Sequence, residues 1–149
     1  MAEQYRSLLS DPLIRSALEQ AWGDSQPGVT GGHEEGGFIL QDQDENLSVI
    51  RWPTGAQNSI SLPPHPNCQI GDKNIVASFH THPNTDESYL QEPSETDKRA
   101  IREDPDLKGP LYEGEFVISH QIIYLVSPDG YVLEVEETKK IFPLHEGEN

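Results

Sequence analysis

Two histidines separated by one residue, in His80-Thr81-His82-Pro83, are followed further along by Ser94-Glu95-Thr96-Asp97. Residues two apart on a β-strand project to the same side, so His80 and His82 can present two imidazoles to one ion. A carboxylate at Asp97, three residues into a helix, supplies the third ligand. Three protein ligands leave the fourth tetrahedral position to water, which is the layout of a catalytic rather than a structural zinc site. Zinc brings the pKa of such a water from about 15.7 toward about 7. The expectation is one zinc ion per chain on His80, His82 and Asp97, used to hydrolyse amide bonds. Hydrolysis also needs a general base, and Glu34 is the candidate. It lies in Glu34-Glu35-Gly36-Gly37-Phe38-Ile39-Leu40, where a carboxylate runs directly into an apolar strand.

Each piece has a plainer reading. A histidine pair at alternate positions is more often polar surface than ligand. Ser94-x-x-Asp97 is also an ordinary helix start, with Ser94 as N-cap and an acid in the first turn. The two readings of Ser94 are compatible, because a capping serine is held rigidly and can still face a substrate. Glu34 and Glu35 can equally be solvated charges at a strand entrance, and residue chemistry alone barely separates the alternatives. Co-occurrence favours the site: two strand-end histidines, a proline, a loop, then serine and aspartate opening a helix.

The elements that must position these groups are legible from periodicity. Pro12 to Trp22 reads as a helix, with Leu13, Ile14, Ala17, Leu18 and Ala21 at helical spacing and Ser10 or Asp11 as cap. Phe38–Leu40 and Leu47–Trp52 read as strands, and Ile75–Phe79 as a buried strand. In that strand Ile75, Ala77 and Phe79 are expected on one face, with Val76, Ser78 and His80 on the other. A second helix runs from Ser94 to about Glu103, stopped by Pro105. Phe116–Ser119, Ile122–Ser127 and Tyr131–Val135 close the chain, with Asp129-Gly130 marking a hairpin. Between Pro53 and Gly71 the prolines 63, 64 and 66 exclude a central strand, so this stretch is expected to be a surface insertion. The whole reads as one α+β domain over residues 1–149, its core about 12–138 and its tail 139–149 loose. A mostly antiparallel central sheet is flanked by two principal helices.

Composition narrows the partners. Ten basic and 26 acidic side chains give a net charge of −16, which repels phosphate backbones and disfavours nucleic acid as a partner. A neutral or basic protein partner suits that surface better. With Cys68 the only cysteine, neither an internal disulfide nor a cysteine-rich zinc knuckle can form. The first ten residues lack the basic-then-apolar pattern of a signal peptide, and no apolar run approaches the roughly 20 residues of a membrane span. A cytoplasmic protein without a membrane partner is expected. Histidines 33, 65, 120 and 145 have no partner spacing that suggests a second metal.

Taken together, Glu34, His80-Thr81-His82-Pro83 and Ser94-x-x-Asp97 resemble the JAMM (JAB/MPN) metalloprotease family, whose pattern is a glutamate, His-x-His-Pro, then Ser-x-x-Asp. The family's glutamate commonly stands three residues before a glycine leading into an apolar strand, and Gly37 has that relation to Glu34 rather than to Glu35. The resemblance spans roughly residues 34–135, and the chain's size is similar to the stand-alone prokaryotic type. It implies a JAB/MPN-like fold with cytidine-deaminase-like layering. It also implies a deubiquitinase-like zinc isopeptidase acting after the C-terminus of ubiquitin or a ubiquitin-like protein. Glu34 would then be general base and acid, and Ser94 would help stabilise the oxyanion. Two other readings compete: a non-catalytic interaction module of the same fold, and a RadC-like relative, with which Pro93 before Ser94 is in keeping. The charge of −16 argues against a DNA role for the latter.

Overall fold

A computed structural model describes residues 8–142. Helix α1 (Pro12–Asp24) starts where Asp11 Oδ1 accepts from the backbone nitrogens of Leu13 and Ile14, with proline in the first turn, where its missing N–H costs nothing. Its buried side is Ile14, Leu18, Ala21 and Trp22. Leu13, expected in that stripe, is instead half exposed. Seven strands follow: β1 (Gly36–Gln41), β2 (Leu47–Arg51), β3 (Gln69–Ile70), β4 (Lys73–Thr81), β5 (Glu115–Ile118), β6 (Ile122–Val126) and β7 (Val132–Glu137). Helix α2 (Glu95–Glu103) lies between β4 and β5, and a single turn, α3 (Thr138–Ile141), follows β7. No helix among the described residues is long and apolar enough to cross a membrane.

The strands form one open sheet in the order β2-β1-β4-β5-β6-β7, with β3 paired to the start of β4. Every pairing is antiparallel except β4 with β5, so the sheet is mixed and mostly antiparallel. A parallel pair requires a crossover, and the segment containing α2 provides it. Alternate strand residues feed two cores. Ile39, Phe79, Phe116, Ile118, Ile123 and Leu125 pack with Ile14 and Leu18 of α1. Phe38, Leu40, Ile75, Val117 and Val126 pack with Ile101 of α2 on the other side. The result is an α+β domain with a helix on each face of its sheet.

One strand departs from simple alternation. Ile39 pairs with Ala77 but Leu40 pairs with Ile75, leaving Val76 as the extra residue of a bulge. Val76 therefore joins Ala77 and Phe79 in the core beneath α1, while Ile75 turns to the α2 side. The expectation that Ile75 would share a face with Ala77 and Phe79 is corrected by that bulge. Ser78 and His80, beyond it, both face the α2 side, where Tyr112 and Glu115 lie.

The Pro53–Gly71 stretch is not a bare surface loop. Ile60, Leu62 and Ile70 pack on the α2-side core, and Cys68 is buried there. His65 latches the stretch to the end of α2. Its Nδ1 meets the Pro63 carbonyl and its Nε2 meets Asp104 Oδ2, each at 2.7 Å. Both partners are acceptors only, so the geometry suits an imidazolium with two N–H donors. Burial opposes that charge. The Pro63 carbonyl, the Asp104 hydrogen bond and the charges of Asp104 and Asp106 outweigh it and raise the His65 pKa. A group whose folded pKa is raised adds stability below its unfolded value, near 6.5, and loses it as pH rises through the folded value. Urea midpoints should therefore fall as pH rises above about 6.5, and His65→Gln should flatten that part of the profile. An unchanged slope in the variant would assign the dependence elsewhere.

The chain end also differs from expectation. Residues 139–142, expected to begin a loose tail, are docked: Arg15 Nη2 donates to the carbonyls of Lys140 and Ile141, and Phe142 is buried. The remainder of that tail, 143–149, with His145, lies outside the described residues.

Candidate metal centre

His80 occupies the end of β4, in register with Gly36 on one side and Val117 on the other. His82 lies just past the strand, its backbone nitrogen donating to the Ile118 carbonyl at 2.8 Å. Pairing on both sides thus fixes the backbone under the His80 imidazole, and the bond to Ile118 fixes that under His82. The two Nε2 atoms approach to 3.1 Å, and both side chains are buried.

Asp97 comes from the opposite side, at the third position of α2. Ser94 Oγ accepts from the Asp97 backbone nitrogen at 3.0 Å, and Asp97 Oδ2 accepts from the Ser94 nitrogen at 2.9 Å. This reciprocal capping box opens the helix and locks the carboxylate at once. Its Oδ1 lies 3.5 Å from His80 Nε2 and its Oδ2 lies 3.2 Å from His82 Nε2. The helix-start reading and the ligand reading of Ser94-x-x-Asp97 therefore describe the same geometry.

The three separations, 3.1, 3.2 and 3.5 Å, provide a fit test for an ion. Bonds of about 2.0–2.1 Å around a tetrahedral zinc-sized ion place neighbouring donors about 3.3–3.4 Å apart. The remaining ring nitrogens agree. His80 Nδ1 donates to Glu115 Oε2 at 2.6 Å, and His82 Nδ1 donates to the Gln91 carbonyl at 3.1 Å. With Nδ1 as the donor in both rings, both Nε2 atoms face the Asp97 carboxylate, and as neutral imidazoles they would offer lone pairs to an ion there. That donor set suits a cation.

Glu34 supplies the fourth group. Its carboxylate and the two imidazoles offer ligand atoms that all lie within 4.8 Å of one another. The backbone of Glu34 is clamped to the insertion: its nitrogen donates to the Ala56 carbonyl, and its carbonyl accepts from the Gly55 nitrogen. Burial raises the Glu34 carboxyl above its ordinary value, partly opposed by the charges of His80 and His82. Glu35 turns elsewhere, into hydrogen bonds with Arg51, His33 and Thr54. Of the two adjacent acids, Glu34 is the one brought to the histidines.

The glycines after these acids allow the approach. A Cβ on Gly36 would stand 2.6 Å from the Phe79 carbonyl oxygen and 2.5 Å from Trp52 Cε3. Backbone and a buried indole cannot both give way cheaply. Gly36→Ala should cost about 1–3 kcal/mol, read as a lower urea midpoint at unchanged slope. A midpoint equal to wild type would mean that β1 can shift without loss.

The electrostatics of the cluster are coupled. Burial works against the charged form of His80, but the Glu115 charge and the hydrogen bonds that Asp97 and Glu115 accept from it hold its pKa well above that of an ordinary histidine. Burial likewise pushes the Asp97 carboxyl up. The hydrogen bonds and charges of His80 and His82 overcome this and hold it far below the usual range. The four side chains open onto a cleft of about 420 Å³. Ser94, Trp52, Ile60, Leu62 and Leu90 also line it. Residues of the Pro53–Gly71 insertion thus form one wall of the site.

Glu115 and Gln91 did not emerge from sequence reasoning. Glu115 carried a signal, an acid leading into the apolar strand Phe116–Ser119, the same pattern that drew attention to Glu34. Gln91 acts through its backbone oxygen, which no side-chain pattern reports. Comparison with protein-family models, with curated proteins and with solved structures finds no match for this chain.

Proposed function

We propose that this chain is a zinc-dependent peptidase or isopeptidase of JAMM type, with His80, His82 and Asp97 as metal ligands and Glu34 and Ser94 as catalytic groups. The observation that carries the reading is the cluster of His80, His82 and the Asp97 carboxylate, whose oxygens face one imidazole each at 3.5 and 3.2 Å, with a buried, pKa-raised glutamate beside it. The layered α+β sheet is compatible with a JAB/MPN-like domain.

Zinc held by these ligands supplies Lewis acidity, making water acidic enough to lose a proton near neutral pH and polarising a carbonyl. The chain's own groups do the rest. Glu34, desolvated and therefore more basic than a surface carboxylate, takes the proton from the attacking water. The water oxygen bonds to the carbonyl carbon. Glu34 then gives the proton to the amide nitrogen as the C–N bond breaks, leaving a carboxylic acid and an amine. The hydroxyl of Ser94 already accepts from the Asp97 nitrogen, so its own hydrogen is available to the developing oxyanion. Ser94 is held by the helix start and needs no reorganisation to do so. Removing one such donor typically lowers kcat by on the order of 10² to 10³, the effect expected for Ser94→Ala.

The substrate we propose is a ubiquitin or ubiquitin-like conjugate or fusion, cut after the ubiquitin-like C-terminus. Support comes from the lining of the cleft, where Trp52, Ile60, Leu62 and Leu90 offer apolar surface and, among the described residues, no lysine or arginine stands. The net charge of −16 suits a neutral or basic protein. Two measurements test the proposal: metal content after purification, and mass-spectrometric cleavage of ubiquitin-like fusions with and without chelator. One zinc per chain and chelator-sensitive cleavage are expected. A chain that takes up no zinc overturns the metal centre. Stoichiometric zinc with no cleavage of any such fusion overturns the substrate.

A further inference from the structure

Behind His80 lies a chain of buried polar groups that the reaction itself does not use. Glu115 Oε2 accepts from His80 Nδ1 at 2.6 Å, and Glu115 Oε1 accepts from Ser78 Oγ at 2.8 Å. The same Ser78 oxygen meets the Tyr112 hydroxyl at 2.7 Å. Relative exposures of 0% for Ser78, 3% for Glu115, 6% for Tyr112 and 2% for His80 place all four groups away from bulk solvent. Such a network must satisfy itself internally.

Donor chemistry sets its direction. Ser78 spends its only hydrogen on Glu115, so the phenol must be the donor in the Tyr112–Ser78 bond. Burial, together with the Glu115 charge, raises the Tyr112 pKa well above that of an ordinary tyrosine, which keeps the phenol protonated. The order is then Tyr112 to Ser78 to Glu115, with His80 donating from the other side. Placement is fixed by the parallel ladder, in which Glu115 is the register partner of Ser78. No lysine or arginine is bonded to Glu115 among the described residues, so of its two bonded partners, Ser78 and His80, only His80 can carry positive charge.

We propose that Glu115, held by Ser78 and Tyr112, is a positioning residue that locks His80 with its hydrogen on Nδ1 and thereby raises the affinity of the site for a divalent metal ion. The inference rests on the metal-centre reading. An imidazole with a carboxylate behind it is both oriented and a stronger electron donor at its free nitrogen. The bland alternative is a satisfied core network that contributes only to stability.

The probe is zinc, titrated into the full chain against a chromophoric chelator, with urea midpoints measured in parallel. Glu115→Gln is close to isosteric. Its amide oxygen can still accept from His80 while its NH₂ faces Ser78, so it removes mainly the charge. Its zinc affinity should fall about 10- to 100-fold. Tyr112→Phe, which deletes only the far donor, should lower affinity several-fold and carries the test if Glu115→Gln fails to fold. The nitrogen NMR signals of the zinc-loaded protein should show His80 protonated at Nδ1 in wild type. Wild-type affinity in a folded Glu115→Gln overturns the proposal while leaving the metal centre standing, as does Nε2 protonation of His80. Wild-type affinity in Tyr112→Phe, where that variant carries the test, does the same. A wild-type chain that binds no zinc overturns both.

Discussion

Glu34→Gln should keep the proposed zinc and lower kcat/KM for the proposed amide cleavage by on the order of 10² to 10⁴, the usual contribution of a positioned general acid–base. The substitution is nearly isosteric, so the clamp of its backbone to Gly55 and Ala56 survives. What disappears is a basic oxygen within reach of the histidines. The amide also relieves a buried carboxyl whose charge is disfavoured by desolvation, so urea midpoints should stay level or rise. Loss of activity without loss of stability or metal is the signature of a residue kept for chemistry. Glu35→Gln should behave in the opposite way. Glu35 is buried in an ion pair with Arg51 and a hydrogen bond to Thr54, so its neutralisation should lower the urea midpoint while leaving activity in the surviving folded protein. Cleavage at wild-type rate in Glu34→Gln would remove Glu34 from the mechanism.

How much of this was legible in the residues follows from the kind of signal each part carries. His80 and His82 are a strand-period pair, and Asp97 belongs to a capping motif. Both are local patterns, and the structure brings them together. The choice between Glu34 and Glu35 rested on the distance to Gly37 that the family resemblance carries, because side-chain chemistry alone does not separate two adjacent acids. It is decided by the ladder to the insertion and by Arg51, both distant in sequence. The face of Ile75 was misassigned for a related reason. A bulge shifts the period by one residue, and nothing in Ile75-Val76-Ala77 distinguishes a bulged from a regular strand. The Pro53–Gly71 stretch read as surface because prolines exclude sheet pairing. Yet Ile60 and Leu62 pack on the core without ladder bonds, which proline does not forbid. Glu115 was missed because its role depends on the parallel pairing of β4 with β5, a contact across 37 residues of chain.

The third ligand separates two arrangements that the geometry allows, since Glu34 as well as Asp97 lies near both imidazoles. Asp97→Asn tests it most sharply. An asparagine oxygen can still accept from the Ser94 nitrogen, so α2 keeps much of its cap. The anionic donor is lost, and zinc affinity should fall by more than the 10- to 100-fold typical of losing an outer partner. Asp97→Ala should add a helix-start penalty of about 1 kcal/mol to the same loss of metal. Ser94→Ala should show that penalty while retaining zinc, so the three variants separate capping from ligation. If Asp97→Asn bound zinc as tightly as wild type, Asp97 would be a cap alone. Glu34 would then be the third donor, and Glu34→Gln would lose the ion. Metal content of these two variants, measured side by side, therefore assigns the ligand and the base in one experiment. The spacing of 3.2 and 3.5 Å from Asp97 to the two imidazoles is why the expected answer is loss of zinc in Asp97→Asn and its retention in Glu34→Gln.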